Sequence, residues 1–369
     1  SGCNMENQTI CVGGAVVVFA KCPIAGSSKT RLAPLLRPEG AAQLAKAMLS
    51  DILVSLSQCV LLRDTLKVLM YAPGTQSGEA QMMSILDSLD LSYNKIEKEP
   101  LIKNKKSDQL TKTPDHDEER GYLSVDTYGW VLLPMQKAST SDLTSSSLGS
   151  KLEDALERIR KLSASMVQKS SNVNNNNRNE AVLFLGMDSP ELPMEEIVYG
   201  LLQSNDHHPP TNEKQLSNNC NNPSEGKASF HGKAHMCPAN DGGYGLLSVP
   251  KHAPSARIFS SVRWSDPLTA VSQLKALTDC GVGVSLGKLM YDVDEPGDVK
   301  ELAARLASSW DGENKTICSS GESQSGDDSL VRLSLGISTA VSAGISTNYP
   351  HHTRKALLDL NVMHCAGGN

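Results

Sequence analysis

The chain contains no apolar run that approaches the roughly 20 residues needed to span a bilayer. Its N-terminus shows no charged segment followed by a signal-like apolar core. A membrane-spanning protein is therefore not expected and a cytoplasmic one is, with an organelle-targeting peptide ahead of Ser1 left open. A basic excess is missing as well: 35 Lys and Arg stand against 41 Asp and Glu, a formal net charge of −6. Nucleic acids and anionic membranes are recognised through a basic footprint, so neither is an expected partner. The nine cysteines (Cys3, Cys11, Cys22, Cys59, Cys220, Cys237, Cys280, Cys318 and Cys365) include no close pair of the zinc-binding or redox type. Their odd number and scatter read as free thiols of a reducing compartment rather than a disulfide framework or structural zinc. Neither Gly-x-x-x-x-Gly-Lys-Ser/Thr nor Gly-x-Gly-x-x-Gly occurs, which disfavours a P-loop ATPase and a Rossmann dehydrogenase. No repeat of fixed period is visible, and solenoids and propellers fall away with it.

What is present begins with Ala15-Val-Val-Val-Phe-Ala20, a short, mostly β-branched apolar run that reads as a buried strand. It empties into Lys21-Cys-Pro-Ile-Ala-Gly-Ser-Ser-Lys-Thr-Arg31. Gly26 permits close backbone approach to a ligand, Ser27, Ser28 and Thr30 offer hydroxyl donors, and Lys21, Lys29 and Arg31 offer positive charge. Such a loop suits a polyphosphate, although a solvated loop after a strand has the same composition. Cys22 lies among the cations, a setting that lowers a thiol pKa, but reads as a passive residue.

With 369 residues and 39% hydrophobic content, the chain is long enough for one large α/β domain or two small ones. Leu44, Met48, Ile52 and Leu56 recur every four residues and predict an amphipathic helix over 38–58, opened by Pro38. Strands are expected at 66–71, 130–133, 181–186, 245–249 and 282–286. Helices are expected at 79–89, around Leu152–Leu162, at 195–202, around Leu268–Leu277 and from Glu295-Pro296 through Leu306. This is the βαβα rhythm of a sheet flanked by helices. Residues 97–120, 169–180 and 204–233 are polar, low-complexity stretches that read as insertions in a domain spanning 12–310. A largely flexible tail, 311–369, carries a short helix at 353–360.

Two carboxylate groups follow predicted strands. Asp188, in Met187-Asp188-Ser189-Pro190, stands just beyond the strand at 181–186, where open α/β sheets bind ligands. Asp292 and Asp294, in Tyr291-Asp-Val-Asp-Glu-Pro-Gly-Asp298, share one side of an extended backbone. Asp188 and Asp294 together suit a hard divalent cation such as Mg²⁺ or Mn²⁺, which takes one or two carboxylates plus substrate phosphates. Asp292, Asp294 and Asp298 read equally well as caps of the final helix. In Pro238-Ala-Asn-Asp241-Gly242-Gly243-Tyr244 the glycines allow a tight turn, with Asp241 and Tyr244 at its edges; a plain hairpin is the competing reading. Trp264-Ser265 precedes a helix that Ser265 would cap, with the indole stacked on a substrate or packed in the core.

Taken in order, FAKCPIAGSSKTRLAPLL, LGMDSPELP, PANDGGYGLL, IFSSVRWS and YDVDEPGDVKELAARL resemble the motifs of the DUF2064 family, the transferase 1, rSAM/selenodomain-associated or CofC-like proteins. The resemblance covers most of 12–310 outside the insertions. It implies the nucleotide-diphospho-sugar transferase (GT-A) fold, a mixed, mainly parallel sheet flanked by helices. Position by position, it implies that Lys21, Gly26, Lys29 and Arg31 form the nucleotide-phosphate loop, with Lys29 and Arg31 catalytic. Asp188 and Asp294 become the metal aspartates, Asp188 with a catalytic role, and Asp241, Gly242, Gly243, Tyr244, Trp264 and Ser265 the acceptor side. Met187 stands where a small residue is usual and Asp266 where Thr is usual.

The expected activity is nucleotidyl transfer from a nucleoside triphosphate to a phosphorylated or phosphonate small molecule. An acceptor phosphate is already ionised and demands no general base, which suits a sequence in which no His or Glu stands out as one. Glycosyl transfer from a nucleotide sugar is the alternative, with Asp241 as base. A catalytically silent nucleotide-binding scaffold is the third reading.

Overall fold

The computed structural model describes residues 12–95, 129–135, 148–167, 180–204, 232–316 and 349–363. The insertion expected at 97–120, and all but the margins of those at 169–180 and 204–233, lie outside the described residues, as do 317–348 and 364–369 of the expected tail.

Eight strands form one sheet: β1 (Ala15–Lys21), β2 (Leu66–Ala72), β3 (Tyr93–Lys95), β4 (Trp130–Pro134), β5 (Val182–Gly186), β6 (Lys233–Pro238), β7 (Tyr244–Val249) and β8 (Gly283–Leu286). Their order is β3-β4-β2-β1-β5-β7-β6-β8. Every pairing is parallel except those of β7, which runs antiparallel to β5 and β6. Helices α1 (Ala33–Gln58), α2 (Gln76–Ser88), α3 (Leu148–Val167), α4 (Met194–Gln203), α5 (Ser255–Ile258), α6 (Thr269–Asp279), α7 (Pro296–Thr316) and α8 (His351–Asp359) complete the described elements. The mixed, mainly parallel α/β sheet flanked by helices is the expected architecture.

Strand alternation builds the layers. Val16, Val18 and Ala20 of β1 join Leu183 and Leu185 of β5 beneath Leu49, Ile52 and Leu53 of α1 and Ile197 and Leu201 of α4. Ala15 and Val17 face the other way with Val182 and Phe184, against Leu152, Leu156 and Ile159 of α3. Being covered on both faces is why β1 reads as a continuous apolar run.

Three local departures have physical causes. The helix expected from Pro38 begins at Ala33, but Arg37 breaks it with φ 59° and ψ 166°, so Pro38 opens the second segment, where its missing N–H is harmless. β6 (Lys-Ala-His-Met-Cys-Pro) has no β-branched residue and alternates over only four positions, and its first residue falls in the stretch read as an insertion. Pairing with β7 on one side and β8 on the other makes it a strand. The helix α7 runs past residue 310 to Thr316, across the expected domain boundary.

α8 packs through Ala356 and Leu357 against Leu44 and Met48 of α1 and Val299 and Leu302 of α7. Its first turn is capped from another helix: the buried carboxylate of Asp51 in α1 accepts the His352 N–H at 2.9 Å and the Thr353 N–H at 2.7 Å. The residue preceding α8, Pro350, provides no side-chain cap of its own. Replacing Asp51 with Ala should therefore cost about 2 kcal/mol, the scale of hydrogen bonds to a charged group. Hydrogen exchange should locate the loosening in 351–359, with the central strands unchanged.

Candidate active site

β1, β5 and β6 run in the same direction, so the segments that leave them emerge along one edge of the sheet. β7 runs the opposite way, and the turn that joins it to β6 lies at that edge too. The chain after β8 closes along this edge by backbone pairing: Met290 N–H donates to Pro238 O at 2.8 Å, Asn240 N–H to Met290 O at 3.1 Å, and Val293 N–H to Asp188 O at 3.0 Å. Arg305 of α7 holds the arrangement from behind, ion-paired to Glu191 at 2.7 Å and lying 4.7 Å over the Tyr291 ring.

Lys29 is the centre of this edge. Its backbone adopts the left-handed region, φ 48° and ψ 44°, as the chain enters the short helical turn Thr30–Leu32. Its ammonium donates to Val293 O at 2.7 Å and to Asp294 Oδ1 at 2.8 Å, and forms a close ion pair with Asp188 Oδ1. The Lys29 side chain is only 7% exposed, whereas those of Asp188 and Asp294 are 38% and 46% exposed. Burial opposes the ammonium charge, but the two carboxylates outweigh it and hold Lys29 above its ordinary range. The expected metal aspartates are thus brought together, with a lysine of the expected phosphate loop between them.

Asp292 completes an acidic patch. Ser189, itself buried, hydrogen-bonds its carboxylate closely, and the Asn240 amide oxygen accepts its backbone N–H at 3.2 Å. Burial pushes the Asp292 carboxyl up to about 6; repulsion from Asp188 and Asp241 adds to the rise, while the Ser189 hydrogen bond and Lys29 oppose it. Of the three aspartates read as possible caps of the last helix, Asp298 does this work, accepting the N–H groups of Asp294 at 2.9 Å and Glu295 at 2.8 Å. That leaves the side chains of Asp292 and Asp294 for the edge.

The other expected site residues divide. Lys21 and Arg31 are exposed, and among the described residues neither side chain has a hydrogen bond or ion pair. Gly26 sits at φ +76° on an exposed turn with open space where a side chain would be. Met187 fills a different role from a small residue, its sulfur taking the Lys21 N–H at 3.1 Å and tying the ends of β1 and β5 together. Cys22 is buried against Gly78 O, and burial pushes its thiol up to about 11, so it is inert at neutral pH.

Asp241 is exposed on the β6–β7 turn and accepts the Gly243 N–H at 2.8 Å. Gly242 has φ +88°, a Cβ there would collide with the Pro267 carbonyl oxygen, and its own carbonyl takes the Ala270 N–H at 2.9 Å. The start of α6 is thereby docked on the turn through Pro267 and Ala270, while the Trp264 indole lies against Gly149 of α3. Trp264 packs partly into the core. The Tyr244 hydroxyl donates to buried Gln273 at 3.1 Å rather than serving the edge. Ser265 is exposed with φ 57° and does not cap α6; Asp266 accepts the Leu268 N–H at 2.8 Å in its place. Ser189 and Asn240 escape sequence reasoning because their partners are distant in the chain. Asp292 was legible only as one half of an Asp-x-Asp pair.

Two outcomes follow for purified protein. The Asp292 carboxyl lies higher in the folded chain than its ordinary value near 3.8, so the folded state binds the extra proton and this site's contribution to stability falls as pH rises from about 4 through 6. Asp292→Asn should remove that slope: its thermal stability relative to the parent should rise between pH 4 and pH 7 in scanning calorimetry. Gly242→Ala should lower stability by about 2 kcal/mol or more, because both its φ and the space before Pro267 reject a Cβ.

No family model matches the chain, and no curated protein matches it in sequence. Among solved structures it is similar to a protein from Desulfovibrio desulfuricans G20 described as a nucleotide-diphospho-sugar transferase, with 17% identity and a TM-score of 0.48 over 93% of this chain and 97% of that one. It is also similar to a CMP:2-keto-3-deoxy-manno-octonic acid synthetase complexed with CTP, with 8% identity and a TM-score of 0.38 over 80% of this chain and 99% of that one.

Proposed function

We propose that the protein is a magnesium-dependent nucleotidyltransferase of the DUF2064 type, which moves a nucleotidyl group from a nucleoside triphosphate to a phosphorylated or phosphonate small molecule. The observation that carries this reading is the Lys29 ammonium shared by Asp188 and Asp294 at the carboxyl edge of the sheet, with Arg31 and Lys21 exposed beside it. The five ordered motifs and the mixed sheet with its GT-A-like layering support it.

The donor set fits a hard divalent ion. Asp188 and Asp294 each engage Lys29 through Oδ1 and remain more than one-third exposed, leaving oxygen donors open at the edge. They would hold magnesium, which when bound supplies charge neutralisation for the triphosphate. Lys29 fixes the two carboxylates and dampens their repulsion. Arg31 and Lys21 bind phosphate oxygens, Arg31 with a planar fork suited to two of them. The turn at Asp241–Gly243 and the Trp264–Ser265 segment receive the acceptor, whose ionised phosphate attacks without a base. Division of labour between the cations is the refinement on the sequence reading: Lys29 organises carboxylates and Arg31 takes the donor.

Glycosyl transfer is the second reading, favoured by one observation: Asp292, half-buried against Ser189 with its carboxyl pushed up to about 6 by burial, offers the edge a second candidate base beside exposed Asp241.

The test is incubation of the full chain and magnesium with each nucleoside triphosphate and a panel of phosphorylated acceptors, following pyrophosphate, with nucleotide sugars in parallel. Acceptor-dependent pyrophosphate is the expected result. Nucleoside diphosphate released from a sugar donor establishes the second reading, and no turnover with either donor overturns both. Asp188→Asn should lower turnover by about 100-fold, the scale of losing one charge-stabilising group. Arg31→Ala should weaken triphosphate binding about tenfold by calorimetry, a loss of about 1.4 kcal/mol, with the fold intact.

A further inference from the structure

A second cluster of donors, sharing no residue with the Lys29 cluster, lies between β6 and α4. His235 and Cys237 are two residues apart on β6 and share a face of the strand. Glu196, in the first turn of α4, meets them there. His235 Nε2 is 2.8 Å from Glu196 Oε2, and Cys237 Sγ is 3.8 Å from His235 Nε2 and 4.0 Å from Glu196 Oε2. His235 is 1% exposed, Cys237 0%, and the Glu196 side chain 12%.

Ser285 holds the His235 ring from its other side. Its Oγ lies 2.9 Å from His235 Nδ1 and 3.3 Å from Ala234 O, so a hydroxyl that donates to Ala234 offers its lone pair to an Nδ1–H. In that tautomer Nε2 turns its lone pair toward the Glu196 carboxylate 2.8 Å away, the arrangement of two donors to one ion. In the other tautomer Nε2–H donates to Glu196. A proton on Nε2 satisfies the pair but leaves the Cys237 sulfur without a role. A metal ion uses all three donors, and the Nδ1–H bond to Ser285 is the outer-shell contact that orients a metal-binding imidazole.

The spacing agrees. The three separations define a point about 2.1 Å from every donor atom, close to the 2.0–2.3 Å of zinc bonds to nitrogen, oxygen and sulfur. Gly287 faces the same point: a Cβ there would stand 2.7 Å from both Cys237 Sγ and His235 Nε2, and closer still to Glu196 Oε2. The absent side chain keeps the cradle open.

We propose that Glu196, His235 and Cys237 form a binding site for a thiophilic divalent cation of the zinc class, fastening α4 to β6. The mixed Cys, His and carboxylate donor set selects zinc or cobalt over magnesium. The site is independent of the aspartates of the proposed active site. Its sequence carries no zinc-type Cys pair because the third donor comes from a helix across the sheet face.

The test uses the full chain stripped with a chelator and titrated with cobalt(II), then with zinc(II) as competitor. The expected result is one equivalent of cobalt with a thiolate-to-cobalt charge-transfer band that zinc abolishes. Cys237→Ser should lose the charge-transfer band, whereas Cys22→Ser, Cys59→Ser and Cys280→Ser should keep it. Glu196→Gln, which preserves size and a hydrogen bond, should weaken cobalt binding about tenfold or more. Zinc should raise the melting temperature of the parent chain and not of Cys237→Ser. A parent chain that takes up no stoichiometric cobalt overturns the proposal, leaving a His235–Glu196 hydrogen bond, and does so whether or not the variants fold. A charge-transfer band that survives in folded Cys237→Ser overturns it equally.

Discussion

One buried ammonium holds the edge of this sheet together. Lys29 follows β1, Asp188 follows β5 and Asp294 precedes α7, and the first and last of these are separated by most of the chain. A carboxylate brought close to another carboxylate is repelled, and a lysine withdrawn from water loses its hydration. Each penalty is offset only by the other group. The balance is incomplete, because Asp292 brings a further acid to the same place, its carboxyl pushed up chiefly by burial and further by repulsion from Asp188 and Asp241. The edge thus carries more carboxylates than its one buried ammonium neutralises, and Arg31 and Lys21 stand exposed on the same loop.

The sheet makes the convergence possible. Parallel strands deliver their carboxyl ends to one side, and a single antiparallel strand, β7, turns the β6 connection back into that side. Gly242 then seats the start of α6 on the turn, because only a residue without a Cβ fits before Pro267. The same β6 supplies, on its α4-facing side, the buried His235 and Cys237. One strand with poor intrinsic propensity thus serves two separate clusters, and its place between β7 and β8 compensates for what its sequence lacks.

Elements covered on both faces were the most legible. β1, β2 and β5 are short apolar runs bounded by loop residues, and α1, α6 and α7 show clear helical spacing, so their existence followed from hydrophobic periodicity alone. β6 did not, since it lacks β-branched residues and alternates over only four positions. Of the candidate site, the residue types and their positions after strands were legible at Lys29, Asp188 and Asp294. Their mutual pairing was not, and Lys29, which reads as a phosphate ligand within its loop, is in fact engaged by carboxylates. Tyr244 looked like an edge residue, yet its hydroxyl belongs to the Gln273 contact.

By itself the sequence determined that this is an α/β protein with a cationic loop after its first strand and carboxylates after two others. Those features are local, encoded in the spacing of apolar residues and in the residues that terminate each run. Only the tertiary structure decided which carboxylates share Lys29, that Asp298 rather than Asp294 caps α7, and that Glu196 reaches His235 and Cys237. Charge pairing and donor convergence act through space over a few ångströms. Strand order and helix packing, rather than distance along the chain, set which residues come that close.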